Sequence, residues 1–486
     1  LNAIEQFTHF IVEQNPQYTD LDATYLFNRV LARVGEDSPA AQNDILQCLD
    51  VLVDAGVTAG LSADTASARD ALAADLMDLA VPAPSVVNAQ FWNDYAQSPQ
   101  QATDDFYALS RASNYIQTRA IARNIAFPVA TDYGDLEITI NLSKPEKDPR
   151  DIAAAAKMRA TSYPACALCM SNEGYEGKPG KAARANHRIV RMTVGGKTWG
   201  FQYSPYAYFN EHAIFLDAVH EPMHISKQTF TNLLEIVTTL PHYFVGSNAD
   251  LPIVGGSMLA HEHYQGGRHD FPMAKAPVER SIQLTGFSDV QAGIVHWPMS
   301  VIRLTAADPA RLADCAERIR SVWADYSDAS VNVRAHAADG TPHHTVTPIA
   351  RRVGDNYQLD IVLRDNKTST AYPDGIFHPH QDVQHIKREN IGLIEVMGLA
   401  ILPARLKDEL AEVRKYLLGE PNQMAPMHAA WADELKTRYT WNKDNAQTQL
   451  QRAVGLVFAR VLEDAGVFKR DEAGQAAFAR FVTALN

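Results

Sequence analysis

Apolar positions recur at helical spacing through roughly the first 125 residues. Ile45, Cys48, Leu49 and Leu52 fall on one helical face, and Leu72, Leu76 and Leu79 on another, with Asp64 as the expected N-cap of the latter. Pro82, Pro84 and Ser85 interrupt the pattern before a further helical stretch. The texture changes near residue 130. Leu136-Glu137-Ile138-Thr139-Ile140 alternates as a strand, and Lys144-Pro145-Glu146-Lys147-Asp148-Pro149 follows as a basic, Pro-punctuated loop. Strand-like runs extend from Trp199 to Leu216, broken at Ser204-Pro205, with a strand expected over Ala213 to Val219. Ser226 then caps a helix that buries Phe230, Leu233, Leu234 and Val237, and Pro241 closes it. A Gly-rich approach, Val254-Gly255-Gly256-Ser257, leads into a short strand through His261 and His263.

The same kinds of element follow again. Gly293 to Leu304 reads as a strand, and residues 309 to 325 as a helix with Leu312, Cys315, Ile319 and Val322 inward. Residues 331 to 336 and 344 to 351 read as strands. A hairpin signal at Gly354-Asp355-Asn356 leads into alternating Leu359, Ile361 and Leu363, and the chain from about 391 reads as mostly helical. The expected class is α+β: a helical segment over 1–125, a first half over 126–290, and a second, altered copy of the same unit over 291–486 that carries the C-terminal helices.

Composition narrows the class of protein. The 486 residues carry a net charge of −13, which argues against a nucleic-acid binder, although a few local cations suffice for one phosphorylated small molecule. No apolar run approaches the roughly 20 residues that span a bilayer, and Leu1-Asn2-Ala3-Ile4-Glu5 lacks the pattern of a signal peptide. Four cysteines in so long a chain point to a reducing, cytoplasmic setting rather than a disulfide framework.

Candidate chemistry gathers in Ser257-Met258-Leu259-Ala260-His261-Glu262-His263-Tyr264-Gln265-Gly266-Gly267. Period-two alternation would put His261, His263 and Gln265 on one face of a strand. Cys166-Ala167-Leu168-Cys169 lacks the surroundings of a redox motif. With His220 and His261 it would make a Cys₂His₂ zinc site. Cys48 and Cys315 lie on apolar helical faces and read as packing residues. His378-Pro379-His380-Gln381 imitates the His-x-His pattern without the Gly-rich approach. With His385 nearby it leaves a second metal site as the open alternative to a loop role. His343-His344 stands where the second half would carry the motif.

Taken together, these segments resemble galactose-1-phosphate uridylyltransferases of the histidine-triad superfamily, in their longer, second class. The likeness extends through Leu136 to Pro149, Tyr163-Pro164 with the CxxC, Phe201 to Tyr206, Gly246 to Gly256, Ile376 to His380 and Glu389 to Leu399. It implies duplicated histidine-triad-like units, each an antiparallel sheet with helices. It also implies His263 as the nucleophile and a structural zinc on Cys166, Cys169, His220 and His261. The implied reaction moves a uridylyl group from UDP-glucose to galactose 1-phosphate through a uridylyl-histidine, giving UDP-galactose and glucose 1-phosphate in the Leloir pathway. A neutral imidazole suits that role if one nitrogen is free and the other is fixed on an acceptor, expected to be a backbone carbonyl. Gln265 would donate to the phosphoryl oxygens. Unlike a third His it cannot relay a proton, which disfavours a nucleotide hydrolase. Lys144, Lys147, Asn248 and Ser257 match nucleotide-phosphate positions, and Lys387 and Glu395 are candidates for the hexose phosphate. UTP as donor remains the alternative. Neither nucleic acid nor membrane is implied as a partner, and a homo-oligomer is left open.

Overall fold

The structure, a computed structural model, describes residues 2–37, 39–143, 150, 162–256 and 258–486. Lys144, Lys147 and Ser257 lie outside the described residues. The chain forms two compact units. One comprises Leu1–Ala122, Ser143–Ala207 and Glu211–Glu221; the other comprises Arg123–Leu142, Tyr208–Asn210 and Pro222–Asn486.

In the first unit, the helices Ala3–Gln14, Ala23–Val34, Ile45–Thr58 and Ala66–Asp78 bury their apolar stripes against one another, with Ile4, Phe7, Leu26, Cys48, Leu52 and Leu76 at the centre. The N-cap of Ala66–Asp78 is Thr65 rather than Asp64. Thr65 has the extended backbone a cap requires and its Oγ1 accepts from the Ala68 N–H at 3.3 Å, whereas Asp64 receives Arg69 Nε at 2.7 Å. The helices Pro84–Gln97 and Pro99–Ala112 each begin with a proline, where no amide hydrogen is needed. They lie on the antiparallel strands Val190–Val194, Lys197–Tyr203 and Ala213–Asp217. Edge-on contacts of Phe201 with Phe91 and Phe106 fill the interface, and Trp92 Nε1 and Tyr203 Oη donate across it to the carbonyls of Arg191 and Thr103. The third strand stops at Asp217, two residues short of the expected Val219.

In the second unit, an antiparallel sheet runs His263–Gly267, Phe244–Gly246, His344–Val353, Asn356–Asp365, Val301–Ala306, Gln291–Val295 and Val278–Ile282. The helices Lys227–Thr239, with Ser226 at its N-cap, and Pro309–Asp325 pack on it. The hairpin at Gly354-Asp355 joins its two longest strands, Val353 facing Asn356, and Gly354 takes the left-handed φ of +57° that the tight turn demands. A smaller sheet pairs Ile125–Thr131 with Gly134–Ile140, and the latter runs parallel to Leu399–Leu402. The helices Leu406–Leu417, Ala429–Arg438, Ala446–Ala465 and Glu472–Ala484 complete the unit.

Helical and antiparallel stretches segregate as an α+β chain should, but some expected elements differ. Gly293 to Leu304 is not one strand: Pro298 lies in a bend that returns the chain as a second, antiparallel strand. Residues 331 to 336 make only isolated bridges, Asp328 with Val333 and His336 with Pro342, since no neighbouring strand accepts the alternation. The segment after 391 is mostly helical, as expected, with the short helix Leu393–Val396 and the strand Leu399–Leu402 ahead of its longer helices. Among the described residues, no helix is long and apolar enough to cross a membrane.

The sheet is tied by a buried carboxylate between two guanidinium groups. Asp360 is fully buried; it receives Arg303 Nε at 2.7 Å and a second Arg303 nitrogen at 2.9 Å, and Arg351 at 2.9 Å. Removing the shared anion leaves two cations in low dielectric. Asp360→Asn is expected to lower unfolding free energy by about 3–5 kcal/mol, read as a fall in the urea midpoint.

Candidate active site

The strand His263–Gly267 is held by a neighbouring strand and by a helix on one of its faces. Its neighbour pairs with it at Phe244–Gly267, Val245–Gly266 and Gly246–Gln265. Alternate side chains leave opposite faces. Tyr264 points to the helix Lys227–Thr239, where its hydroxyl accepts from Asn232 Nδ2 at 3.0 Å, so His263 and Gln265 leave from the other face. His261 is not part of the strand. It lies in a bend two residues ahead, and the strand begins at His263.

That bend serves His263 through the main chain. His263 Nδ1 lies 2.7 Å from the His261 carbonyl oxygen. A carbonyl only accepts, so Nδ1 carries the hydrogen and Nε2 keeps its lone pair. The ring is buried, and burial pushes its pKa down to about 4 against the opposing pull of the carbonyl. It is therefore the neutral imidazole that a phosphorus nucleophile needs.

Glycines explain how neighbouring groups come close to the main chain here. A Cβ on Gly246 would stand 2.8 Å from Leu393 Cδ1 and 3.0 Å from the Pro348 carbonyl. A Cβ on Gly256 would stand 2.6 Å from Asn248 Nδ2. The Gly-rich approach is thus a docking surface for Asn248, whose Oδ1 accepts the Leu393 N–H at 2.9 Å.

Lys387 and Glu395 come together as a buried ion pair at 2.7 Å. Lys387 also donates to the Ile401 carbonyl, and Glu395 accepts the Gly392 N–H at 3.1 Å. Burial disfavours the Lys387 ammonium, but Glu395 more than compensates and its pKa lies above the usual value. Arg364 is a buried guanidinium that gives little sign of itself in the sequence. It donates to the Ile391 carbonyl at 2.8 Å and to Thr347 Oγ1 at 3.2 Å, and burial pushes it down to about 10 with only the charge of Glu395 opposing. Asn232 was equally hard to read, a polar residue among the apolar positions of its helix; its signal is its place on the buried stripe between Phe230 and Leu233.

In the first unit, Cys166, Cys169 and His220 converge. The two sulfurs are 3.5 Å apart, and Cys169 Sγ is 3.1 Å from His220 Nδ1. Asn172 fixes the turn, its Nδ2 donating at 2.8 Å to both the Cys166 and Cys169 carbonyls, while the Leu168 N–H points at Cys166 Sγ. Sulfur and imidazole donors in this arrangement could hold a metal ion of soft or borderline character. Cys48 and Cys315 pack in helical cores, and burial raises their thiols to about 11 and about 12.

His343, His344, His378 and His380 have partners of their own. His344 stacks on Trp323 with centroids 3.8 Å apart, its nitrogens meeting the Trp323 carbonyl and Asp365. His343 meets Asn366. His378 Nδ1 and His380 Nε2 approach the carbonyls of Pro379 and Ile376. His380, Asp382 and Asp464 do cluster as metal donors would, but Arg460 Nε already lies 2.8 Å from Asp464 Oδ1.

Comparison with known proteins gives the site its family. Residues 16–222 match the model of the galactose-1-phosphate uridyl transferase N-terminal domain, and residues 236–433 that of its C-terminal domain. The chain belongs to the galactose-1-phosphate uridylyltransferase family. It is 65% identical to the galactose-1-phosphate uridylyltransferase of Lacticaseibacillus paracasei over 100% of both chains. It is 56% identical to that of Streptococcus mutans over 99% of both. Among solved structures, yeast Ap4A phosphorylase Apa2 in complex with Ap4A shows a slight likeness, with TM-score 0.35 and 9% identity over 63% of this chain and 88% of that one.

The anchor on the far face of the strand His263–Gly267 can be measured directly. Tyr264→Phe removes the acceptor of a buried amide and is expected to cost about 1–3 kcal/mol, seen as a lower urea midpoint with unchanged slope.

Proposed function

We propose that the chain transfers a uridylyl group from UDP-glucose to galactose 1-phosphate by a ping-pong reaction, with His263 as the covalent carrier. The activity is the family's, galactose-1-phosphate uridylyltransferase, a nucleotidyl transfer in galactose metabolism. The observation that carries the assignment of His263 is its Nδ1–H on the His261 carbonyl, which leaves Nε2 as the only nucleophilic nitrogen. In the first half-reaction, Nε2 attacks the α-phosphorus of UDP-glucose. The bond from that phosphorus to the bridging oxygen breaks, and glucose 1-phosphate leaves. In the second, a phosphate oxygen of galactose 1-phosphate attacks the same phosphorus, the P–N bond breaks, and UDP-galactose leaves with His263 restored.

Gln265, on the same face, donates to the phosphoryl oxygens as charge develops and has no proton to relay to water. Asn248 is held against Gly256 for the nucleotide phosphate, with Lys144, Lys147 and Ser257 as its partners there. Lys387 and Glu395, already fixed on each other and on the 391–395 segment, serve the hexose phosphate. His261 adds its ring to Cys166, Cys169 and His220 around one structural zinc, a closed four-ligand set that takes no part in the chemistry. UTP in place of UDP-glucose would form the same adduct, and steady-state rates with each donor separate the two.

Mass spectrometry after incubation with UDP-glucose alone tests this reading. Wild-type protein should gain one uridylyl mass in an acid-labile linkage and release an equal amount of glucose 1-phosphate. His263→Gly should lose adduct and transfer while keeping its fold, and Gln265→Ala should form the adduct about 10²–10³-fold more slowly. Substantial transfer by His263→Gly, or an adduct on His378 or His380, would sink the assignment. For the metal, freshly purified protein should contain about one zinc per chain, and Cys166→Ser should lower zinc content and stability together; active protein free of zinc refutes it.

A further inference from the structure

The buried carboxylate of Asp360 serves two guanidinium groups, and one of them keeps an unused side. Arg303 spends its donors on both Asp360 oxygens and on the Ala276 and Met273 carbonyls. Arg351 donates through Nη1 and Nη2 to Asp360 Oδ2, at 2.9 Å and 2.5 Å, and again through Nη1 to Gln358 Oε1 at 3.1 Å. That occupies the end of its planar fork and the outer hydrogen of Nη1. The Nε hydrogen and the remaining Nη2 hydrogen lie parallel on the side of the fork, the geometry that meets two oxygens of one oxyanion. They have no partner among the described residues. One carboxylate between two guanidinium groups also leaves a positive charge uncompensated, although the Arg351 side chain is only 13% exposed. Burial pushes Arg351 below its usual pKa; Asp360 opposes the shift and Arg303 adds to it.

Arg351 lines a cleft of about 300 Å³ within the second unit, at the lower end of the range for small-ligand sites. Gln265 pairs with Gly246, and Gly246 with Ile349, so Arg351, two residues on from Ile349, shares the sheet face of His263 and Gln265. Gly267 is part of the wall, two residues or about 7 Å past Gln265 along the strand. None of His263, Gln265, Asn248, Lys387 or Glu395 lines the cleft. Arg268 and Arg352 do. Arg352 lies 3.9 Å over the Tyr357 ring and donates to the Asp355 carbonyl, with no carboxylate partner among the described residues. Asp270 is the single carboxylate among the lining residues, and His269 is engaged by Glu137 at 2.8 Å. Three guanidinium groups thus stand against one carboxylate, on a chain whose net charge is −13. A tetrahedral dianion answers both features: it gives the side of Arg351 two acceptors, and its charge balances the surplus.

We propose that this cleft is a binding site for a phosphate dianion, free or as a small monoester, held on the side of Arg351 and separate from the reacting end of the strand His263–Gly267. Calorimetric titration of the full chain with inorganic phosphate, against chloride at equal ionic strength, tests it. Phosphate should bind, should raise the urea midpoint, and should do both equally well in His263→Gly. Arg351→Met, which leaves Arg303 and Asp360 as a balanced pair, should weaken binding at least tenfold and lose the midpoint shift. Arg352→Gln, at a half-buried position outside the Asp360 pair, should weaken binding about threefold and keeps the test open if Arg351→Met fails to fold. Titration of His263→Gly with galactose 1-phosphate separates the two sources: binding that depends on Arg351 assigns the site to monoesters, and binding of inorganic phosphate alone assigns it to the free ion. Phosphate that binds no better than chloride, binding lost in His263→Gly, or binding indifferent to the arginine substitutions each overturns the proposal.

Discussion

The close approach of neighbouring groups to the main chain at Gly246 and Gly256 is the constraint on which the site depends. At Gly246 the missing Cβ admits Leu393, and at Gly256 it admits the Asn248 amide. Those two approaches let Asn248 accept from Leu393, so the strand that carries His263, the turn that carries Asn248 and the 391–395 segment become one packed object. Arg364 and the Lys387–Glu395 pair then hold that segment from the other side, through Ile391 and Gly392. A buried cation without a matching carboxylate is costly, and Arg364 is tolerated because carbonyl, hydroxyl and the charge of Glu395 share the load.

The two units use polar side chains in the same structural way, as clasps on irregular backbone. In the first, Asn172 gathers the carbonyls of both CxxC cysteines, adding a side-chain donor to each beside the backbone N–H it already accepts. In the second, Asn248 and Asn232 fix a loop and a strand. An amide side chain carries donors and an acceptor on a short, rigid stem, so it can satisfy main chain where no ladder or helix reaches. These amides set the positions of the backbone around the site residues.

Much of the architecture was legible from periodicity, and its failures have physical causes. The stripe Phe230, Leu233, Leu234, Val237 and the helix 309–325 announce themselves because one face is buried and the pattern is long. The helix cap was misplaced by one residue because Asp64 and Thr65 are both good caps in isolation, and only backbone geometry chooses. Residues 331 to 336 alternate like a strand, but alternation reports a half-buried surface and does not supply a neighbour to pair with. In the site, the side chains with a chemical signature stood out, while Asn232, Arg364 and the identity of the His263 acceptor depend on contacts distant in sequence.

The acceptor that orients His263 is a peptide oxygen, and every amino acid brings one. A survey of substitutions at position 261 would therefore alter what the ring there does and leave the tautomer of His263 in place. Alignments of relatives would be equally silent, since no side chain records the interaction. Only a change in the backbone itself, such as a shifted bend or an altered loop length ahead of the strand, can move that oxygen. The most consequential hydrogen bond of the site is in this sense inherited through the path of the chain rather than through the identity of any residue.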